Sequence, residues 1–248
     1  MKKQVVNIVW LKRDLRSQDH APLLKAERAG IPYRIVYVFE PYRINYPDTS
    51  PRHLQFVYHS ILTLNTTLSP FNRRVEVFYG EAIDVFNYLN ECFVINSLFS
   101  YRESGTQSTW QRDKQIKVVC NQHRVDWQES QRDGILRGIT NRVNWNKQWH
   151  ITMHKPLIQN VYSISKEDPL KHSFLIPKKL ETQLNDYSKQ FQPPGELNAW
   201  RYLKSFTNQR GFNYQKHISK PTESRKSCSR LSPYFAWGNM SIKQAFQF

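Results

Sequence analysis

The residues best placed to grip a ligand form the short run Cys228-Ser229-Arg230-Leu231-Ser232, followed at once by Pro233 and the aromatic-rich Tyr234–Trp237. Small hydroxylated residues leading into a helix offer backbone amides and hydroxyls at the positive end of the helix dipole, a setting suited to phosphate, and Arg230 adds charge. Taken alone, the same residues are also an ordinary N-cap for a helix over Tyr234–Trp237. Other chemistry is poorly provided for. The eight histidines are scattered without metal-ligand spacing, and neither H-E-x-x-H nor an ordered Ser, His and Asp set occurs. The carboxylates lie mostly among basic residues, so no acid–base pair stands out. No catalytic residue and no metal ligand is assigned. Cys92, Cys120 and Cys228 show no CxxC or His-Cys clustering, which argues against a disulfide framework or a zinc site and fits a reducing, cytoplasmic setting.

The elements that must position the loop are clearest in the first half. Val5–Leu11, Arg34–Phe39, Val75–Tyr79 and Val94–Phe99 are short β-branched or aromatic runs, with Val125–Gln128 as a fifth. Between them, Ala21–Ala29, His53–Leu68, Ala82–Glu91 and Gln107–Cys120 carry apolar residues at helical spacing. Strands alternating with helices predict an α/β fold: a Rossmann-like, doubly wound, mostly parallel five-stranded sheet. Ligands of such sheets sit beyond the carboxyl ends of the strands, here after Leu11, Phe39, Tyr79 and Phe99. None of those loops carries G-x-G-x-x-G, which argues against a conventional dinucleotide site on the sheet.

Beyond Gly134 the periodicity weakens through about Pro194, and short helices are expected only near Trp145–His150 and Pro177–Tyr187. Helical spacing returns after Pro193-Pro194-Gly195, at Leu197, Trp200, Leu203 and Phe206. A long irregular stretch inside one compact domain is unusual, so three units are expected: an α/β domain over 1–134, a connector over 135–194 and a helical unit over 195–248. No segment approaches the roughly 18 apolar residues of a membrane span. Charge is uneven. Residues 131–248 hold 19 Lys and Arg against 7 Asp and Glu, a net of +12, whereas residues 1–130 hold 17 against 13. Clustered cations are the footprint of a polyanion partner, or else a solubilising surface.

Several ordered motifs carry a resemblance. Trp10-Leu11-Lys12-Arg13-Asp14-Leu15-Arg16 with Asp19-His20-Ala21-Pro22-Leu23 resembles the opening of the DNA photolyase/cryptochrome family, and Val38-Phe39-Glu40-Pro41 sits where that family ends its second strand. As a local structure, Arg13, Asp14, Arg16 and Asp19 read as a turn-stabilising ion network, with Asp19 as N-cap. Glu103-Ser104-Gly105 and Trp110-Gln111-Arg112-Asp113 are similar to a further family stretch, with Arg112 and Asp113 otherwise an ordinary solvated helix face. Some members place a carboxylate for a pterin antenna four residues before that Asp; this chain has Thr109. Trp127, Arg132-Asp133-Gly134, Arg142, Trp145 and Trp149 resemble the family connector. Such interleaved aromatics stack on bases or, more commonly, fix a linker.

The fullest match runs from Gly195 to Ser241. The resemblance implies that Tyr214, Cys228, Ser229, Arg230, Leu231 and Ser232 bind FAD, with the antenna chromophore left unknown. Ser227-Cys228 replaces the usual Gly-Thr, and Ile218 stands where an Arg is common. The implied function is FAD-dependent, light-driven repair of pyrimidine dimers in DNA by a monomer with no membrane partner. A cryptochrome-type photoreceptor and a non-catalytic nucleotide- or polyanion-binding relic are the alternatives. Because Phe248 follows the loop so soon, the expectation is an N-terminal portion, as a fragment or a truncated product, with an incomplete flavin site and not competent alone.

Overall fold

A computed structural model describes residues 3–248; Met1 and Lys2 of the basic start lie outside the described residues. Five strands, β1 (Val5–Leu11), β2 (Tyr33–Phe39), β3 (Val75–Tyr79), β4 (Val94–Tyr101) and β5 (Asp126–Ser130), form one parallel sheet in the order β3-β2-β1-β4-β5. Among them run α1 (Ala21–Arg28), α2 (Pro41–Ile44), α3 (Pro51–Leu68), α4 (Ala82–Cys92) and α5 (Gln107–Gln122). The doubly wound five-stranded sheet expected from the sequence is therefore present.

Both faces of the sheet are covered, which explains why β1 and β2 read as apolar runs interrupted only by Asn7 and Arg34. Alternate residues still serve opposite layers. Val6, Ile8 and Trp10 pack with Phe86 and Leu89 of α4 and Ile116 and Val119 of α5. Val9 and Leu11 face Leu23 of α1 and Val57, Ile61 and Leu64 of α3. Each such aliphatic side chain contributes about 1.5–3 kcal/mol by leaving water. The polar interruption Asn7 answers an irregularity in the β1–β4 register: its Oδ1 accepts from the Ser97 amide at 3.1 Å and from Asn96 Nδ2 at 3.2 Å.

The stretch after β5 contains α6 (Trp145–Met153) and α7 (Lys178–Asn185) and is otherwise irregular, yet it is tied down along its length. The Asp19 amide donates to the Ile158 carbonyl at 2.9 Å, Asn160 brackets His20, and the Tyr79 amide of edge strand β3 donates to the Phe174 carbonyl at 3.0 Å. The last of these contacts satisfies a ladder group of the β3 edge that would otherwise be free.

Residues 196–246 then supply α8 (Glu196–Ser205), a π-helical turn (Phe206–Arg210), α9 (Tyr214–His217), α10 (Pro221–Ser227), α11 (Ser232–Trp237) and α12 (Ile242–Phe246). Ala199, Leu203, Leu231, Tyr234 and Met240 bury against Phe56 of α3. The Trp237-Gly238-Asn239 corner seats on the loop after β1. The Leu15 amide donates to the Trp237 carbonyl at 3.0 Å, and Asn239 Nδ2 donates to the Leu15 carbonyl at 2.9 Å. Gly238 has φ +70°, and a Cβ there would lie 2.2 Å from the Arg13 carbonyl oxygen, so only glycine fits.

Two local expectations for the β1 loop are corrected. The N-cap of α1 is His20, whose Nδ1 accepts from the Leu23 amide at 3.2 Å while Nε2 donates to Asp14 at 2.8 Å. This fixes a neutral tautomer, in keeping with burial lowering the His20 pKa against the opposing pull of Asp14. Asp19, held at φ 52°, instead receives the Ile158 amide, the Ser241 hydroxyl at 2.6 Å and Lys243 at 2.7 Å. Nor do Arg13, Asp14, Arg16 and Asp19 pair among themselves by side chain: Arg16 donates to the carbonyls of Gln18, Asp19 and Gly238, and Asp14 serves His20 and the Lys12 amide. Distant segments claim these side chains, which local spacing does not reveal.

Candidate functional site

The sheet order reverses direction at β1, so the crevice beyond the carboxyl ends of β1 and β4 is the expected place for a ligand. A cleft of about 320 Å³ lies there, bounded by Trp10, Arg13, Phe39, Glu40, Glu103 and Trp237 among others. Its polar floor is a charge network centred on Arg112. One Nη donates to Glu40 at 2.8 Å, the other to Glu103 at 2.6 Å and to Asp113 at 2.7 Å. Lys12 meets Asp113 at 2.9 Å, and Arg13 meets Glu103 at 3.2 Å. Arg112 and Asp113 are thus no solvated helix face. Arg112 is buried over the Trp10 ring, 4.7 Å from its centroid.

The two glutamates diverge in protonation. Burial alone would raise Glu103, but the Arg112, Arg43 and Lys12 charges outweigh it and hold the carboxyl at about 2. Burial lifts Glu40 above the ordinary value, with Arg112 only partly opposing it. Burial also pushes the Tyr37 hydroxyl up to about 12. The cleft can accept and donate hydrogen bonds to a flat ring against aromatic walls. It brings no nucleophile to a base, and among the described residues no group of three or more His, Cys, Asp or Glu could hold a metal. Thr109 is buried with its hydroxyl donating to the Thr106 carbonyl at 2.9 Å, so it offers a ligand no carboxylate.

The run expected to bind FAD lies between α10 and α11. Ser227 is buried, its Oγ 2.6 Å from His217 Nδ1, which ties α9 to α10. Leu231 is an anchor: its side chain is 5% exposed within the α3–α8–α11 cluster, leaving only its backbone to a ligand. Arg230 stands in the left-handed region at φ 58°, its Nη2 donating to Gln192 Oε1 at 3.1 Å. Among the described residues, no acceptor meets the Ser229 or Arg230 amide and no carboxylate pairs with Arg230. Ser232 borders a second cavity of about 340 Å³ with Arg52, Tyr187, Phe191 and Trp237. Tyr214 is 37% exposed and meets Phe206 edge-on at 6.0 Å, with no hydrogen bond to the loop. The structure therefore gathers Cys228 to Ser232 as one unit and leaves Tyr214 apart from it.

The capping alternative for this run does not hold. The N-cap of α11 is Leu231, and no side chain of the loop caps that helix. The sequence reading also missed Trp237, which lines both cavities and receives Arg13 over its ring at 5.0 Å. Its place depends on Gly238, the one signal that could have drawn attention to it.

Comparisons with known proteins bear on the family and the fold. The family model described as DNA photolyase matches residues 7–163. A deoxyribodipyrimidine photo-lyase from Buchnera aphidicola subsp. Acyrthosiphon pisum is 24% identical over 255 aligned residues, covering 96% of this chain and 52% of that protein. The chain thus spans about half the length of the curated relatives it matches over most of its length. Among solved structures, a class III photolyase from Agrobacterium tumefaciens superposes with TM-score 0.75 at 20% identity, over 99% of this chain and 52% of that one. An archaeal photolyase from Sulfolobus tokodaii, described as holding two FAD molecules and implying a novel light-harvesting cofactor, gives 0.73 at 22% identity, over 98% and 54%.

Proposed function

The chain belongs to the DNA photolyase family, and from that premise we propose that it supplies the flavin-diphosphate side of a light-driven enzyme that repairs pyrimidine dimers in DNA. The observation that carries this reading is the loop before α11, where the Ser229 and Arg230 amides lack acceptors among the described residues and Arg230 lacks a carboxylate. Donors left open beside an unpaired cation fit a diphosphate, because charge-assisted hydrogen bonds to phosphate oxygens satisfy both at once. When bound, FAD supplies the electron that light drives into the dimer. This chain's residues supply the grip: the two amides and the Arg230 guanidinium for the diphosphate, the Ser232 hydroxyl beside them, and the half-exposed Tyr214 as an aromatic contact. Cys228 keeps the backbone geometry while offering a thiol in place of a hydroxyl.

On this reading residues 195–248 are the beginning of a flavin-binding helical domain, joined through 135–194 to an α/β domain over 1–134. The net charge of +12 in residues 131–248 supports DNA as the polyanion partner. The sheet-end cleft is the place for a second, light-harvesting chromophore, since Trp10, Phe39 and Trp237 can flank a flat ring. Among the described residues no helix is long and apolar enough to cross a membrane.

The test is to incubate the purified chain with FAD, separate it by gel filtration, record flavin absorbance, and then illuminate it with dimer-containing DNA. FAD is expected to be retained in preference to riboflavin, and dimers to be lost in light only. Equal retention of riboflavin and FAD would contradict a diphosphate site. Retention of FAD without repair under light would leave a binding role and remove the repair activity.

A further inference from the structure

Arg210 belongs to no motif, yet it holds the proposed phosphate loop from behind. It ends the π-helical turn Phe206–Arg210, which the Gly211 amide closes by donating to the Phe206 carbonyl at 2.9 Å. A Cβ on Gly211 would lie 2.6 Å from that carbonyl, so the wide turn needs glycine. Such turns concentrate at functional sites. From it the Arg210 guanidinium reaches the loop: Nη1 donates to the Cys228 carbonyl, Nη2 to the Ser229 and Tyr202 carbonyls at 3.0 Å each, and Nε to Ser205 Oγ at 3.2 Å.

The direction of these bonds matters more than their number. In a trans peptide the carbonyl and the following amide point to opposite sides. Drawing the Cys228 and Ser229 carbonyls toward Arg210 therefore turns the Ser229 and Arg230 amides away from it, and these are the two amides without acceptors among the described residues. Arg230 at φ 58° followed by Leu231 at φ −85° and ψ −10° is a left–right pair, in which successive amides converge on a concavity suited to an anion. Arg210, like Arg230, has no carboxylate partner among the described residues, and both guanidiniums lie against the Tyr202 ring, at 5.5 and 5.8 Å from its centroid.

We propose that Arg210 is a positioning residue, a clamp on two carbonyls that aims the Ser229 and Arg230 amides at the diphosphate of a dinucleotide. The identity of the dinucleotide rests on the flavin reading above; the clamp does not.

Two measurements on the full chain separate these. The first is the rate of Cys228 alkylation by iodoacetamide, followed peptide by peptide, with buried Cys120 as the reference for global unfolding. Arg210→Gln is expected to raise the Cys228 rate several-fold and leave Cys120 unchanged. Arg210→Lys, which keeps the charge but not the planar fork, is expected to recover only part of the order. The second is affinity for FAD against riboflavin: Arg210→Gln should weaken FAD by about tenfold and riboflavin not at all, a split that general loosening would not produce. Unchanged Cys228 alkylation and unchanged FAD affinity in Arg210→Gln would overturn the clamp. If the wild-type chain takes up no FAD, the flavin reading fails while the Cys228 rate still decides the clamp. If Cys120 also reacts faster in Arg210→Gln, the same two criteria are applied to Arg210→Lys.

Discussion

The cleft at the strand ends shares Trp237 with the cavity that Ser232 borders, but the cleft and the loop before α11 are built on opposite electrostatic plans. In the cleft, Lys12, Arg13 and Arg112 each lie beside a carboxylate, so its charges are largely met before any ligand arrives. In the loop, Arg210 and Arg230 are met, among the described residues, by neutral carbonyls, a hydroxyl and an amide. A pre-neutralised cleft discriminates by shape and hydrogen bonding. A region with open cations and open amides discriminates by charge, and gains most from an anion. On the flavin reading proposed above, two sites in one chain would select different ligand classes without a separate fold for each.

The largest blow to this contrast is Arg112→Met, which strands Glu40 and Glu103 in the cleft without their shared partner. A loss of about 3–5 kcal/mol is expected in urea unfolding. A loss below ~1 kcal/mol would mean that the cleft charges are not interdependent.

Acid titration sharpens the same point. Glu103 has a folded value of about 2 against 4.5 for the free carboxyl, so its stabilisation is complete above pH ~4.5 and vanishes as pH falls toward 2. The stability difference between wild type and Glu103→Gln should therefore shrink by ~3 kcal/mol over that window. Glu40 contributes with the opposite sign, since its folded value is raised. A difference that widened on acidification would contradict the charge pairing.

Gly238→Ala loosens the corner that both regions lean on. A Cβ driven into the Arg13 backbone at positive φ should cost about 2–3 kcal/mol by thermal unfolding and mobilise Trp237, read as a shift in tryptophan emission. An unchanged melting temperature would show that the corner yields freely.

Arg230→Gln is the mildest and the most selective. Stability should change little, while FAD affinity falls about tenfold with riboflavin unaffected. Equal loss for both would move the role of Arg230 away from phosphate.

The sheet was legible because β1 and β2 are buried on both faces and so appear as apolar runs broken at a single residue each, and because α3 and α4 carry regular stripes. The cleft chemistry was hidden for a different reason. Arg112 shares the stripe of Thr109, Ile116, Val119 and Cys120, a spacing that marks it as inward-facing, but a charged residue there reads as solvated until Glu40 and Glu103 arrive from other elements. The N-cap of α1 fell to His20 in place of Asp19 because Ile158, Ser241 and Lys243, which claim Asp19, come from far along the chain. The π turn ending at Arg210 left no periodic trace, since one wide turn alters direction without altering composition.

The seating of the Gly238 corner on the β1 loop also bears on how the chain becomes organised in time. Arg16 meets the Gly238 carbonyl, and Asp19 meets Ser241, across 222 residues of sequence. Closing a loop of that length costs on the order of 5 kcal/mol of chain entropy, whereas the sheet's neighbouring strands meet over far shorter spans. High separation of this kind slows the step that depends on it. During synthesis, the β1 loop must wait for these partners until the 222 residues that separate them have been made. Until then, Asp14 and His20 can pair, but Arg16 and Asp19 lack Gly238 and Ser241, a state open to premature association.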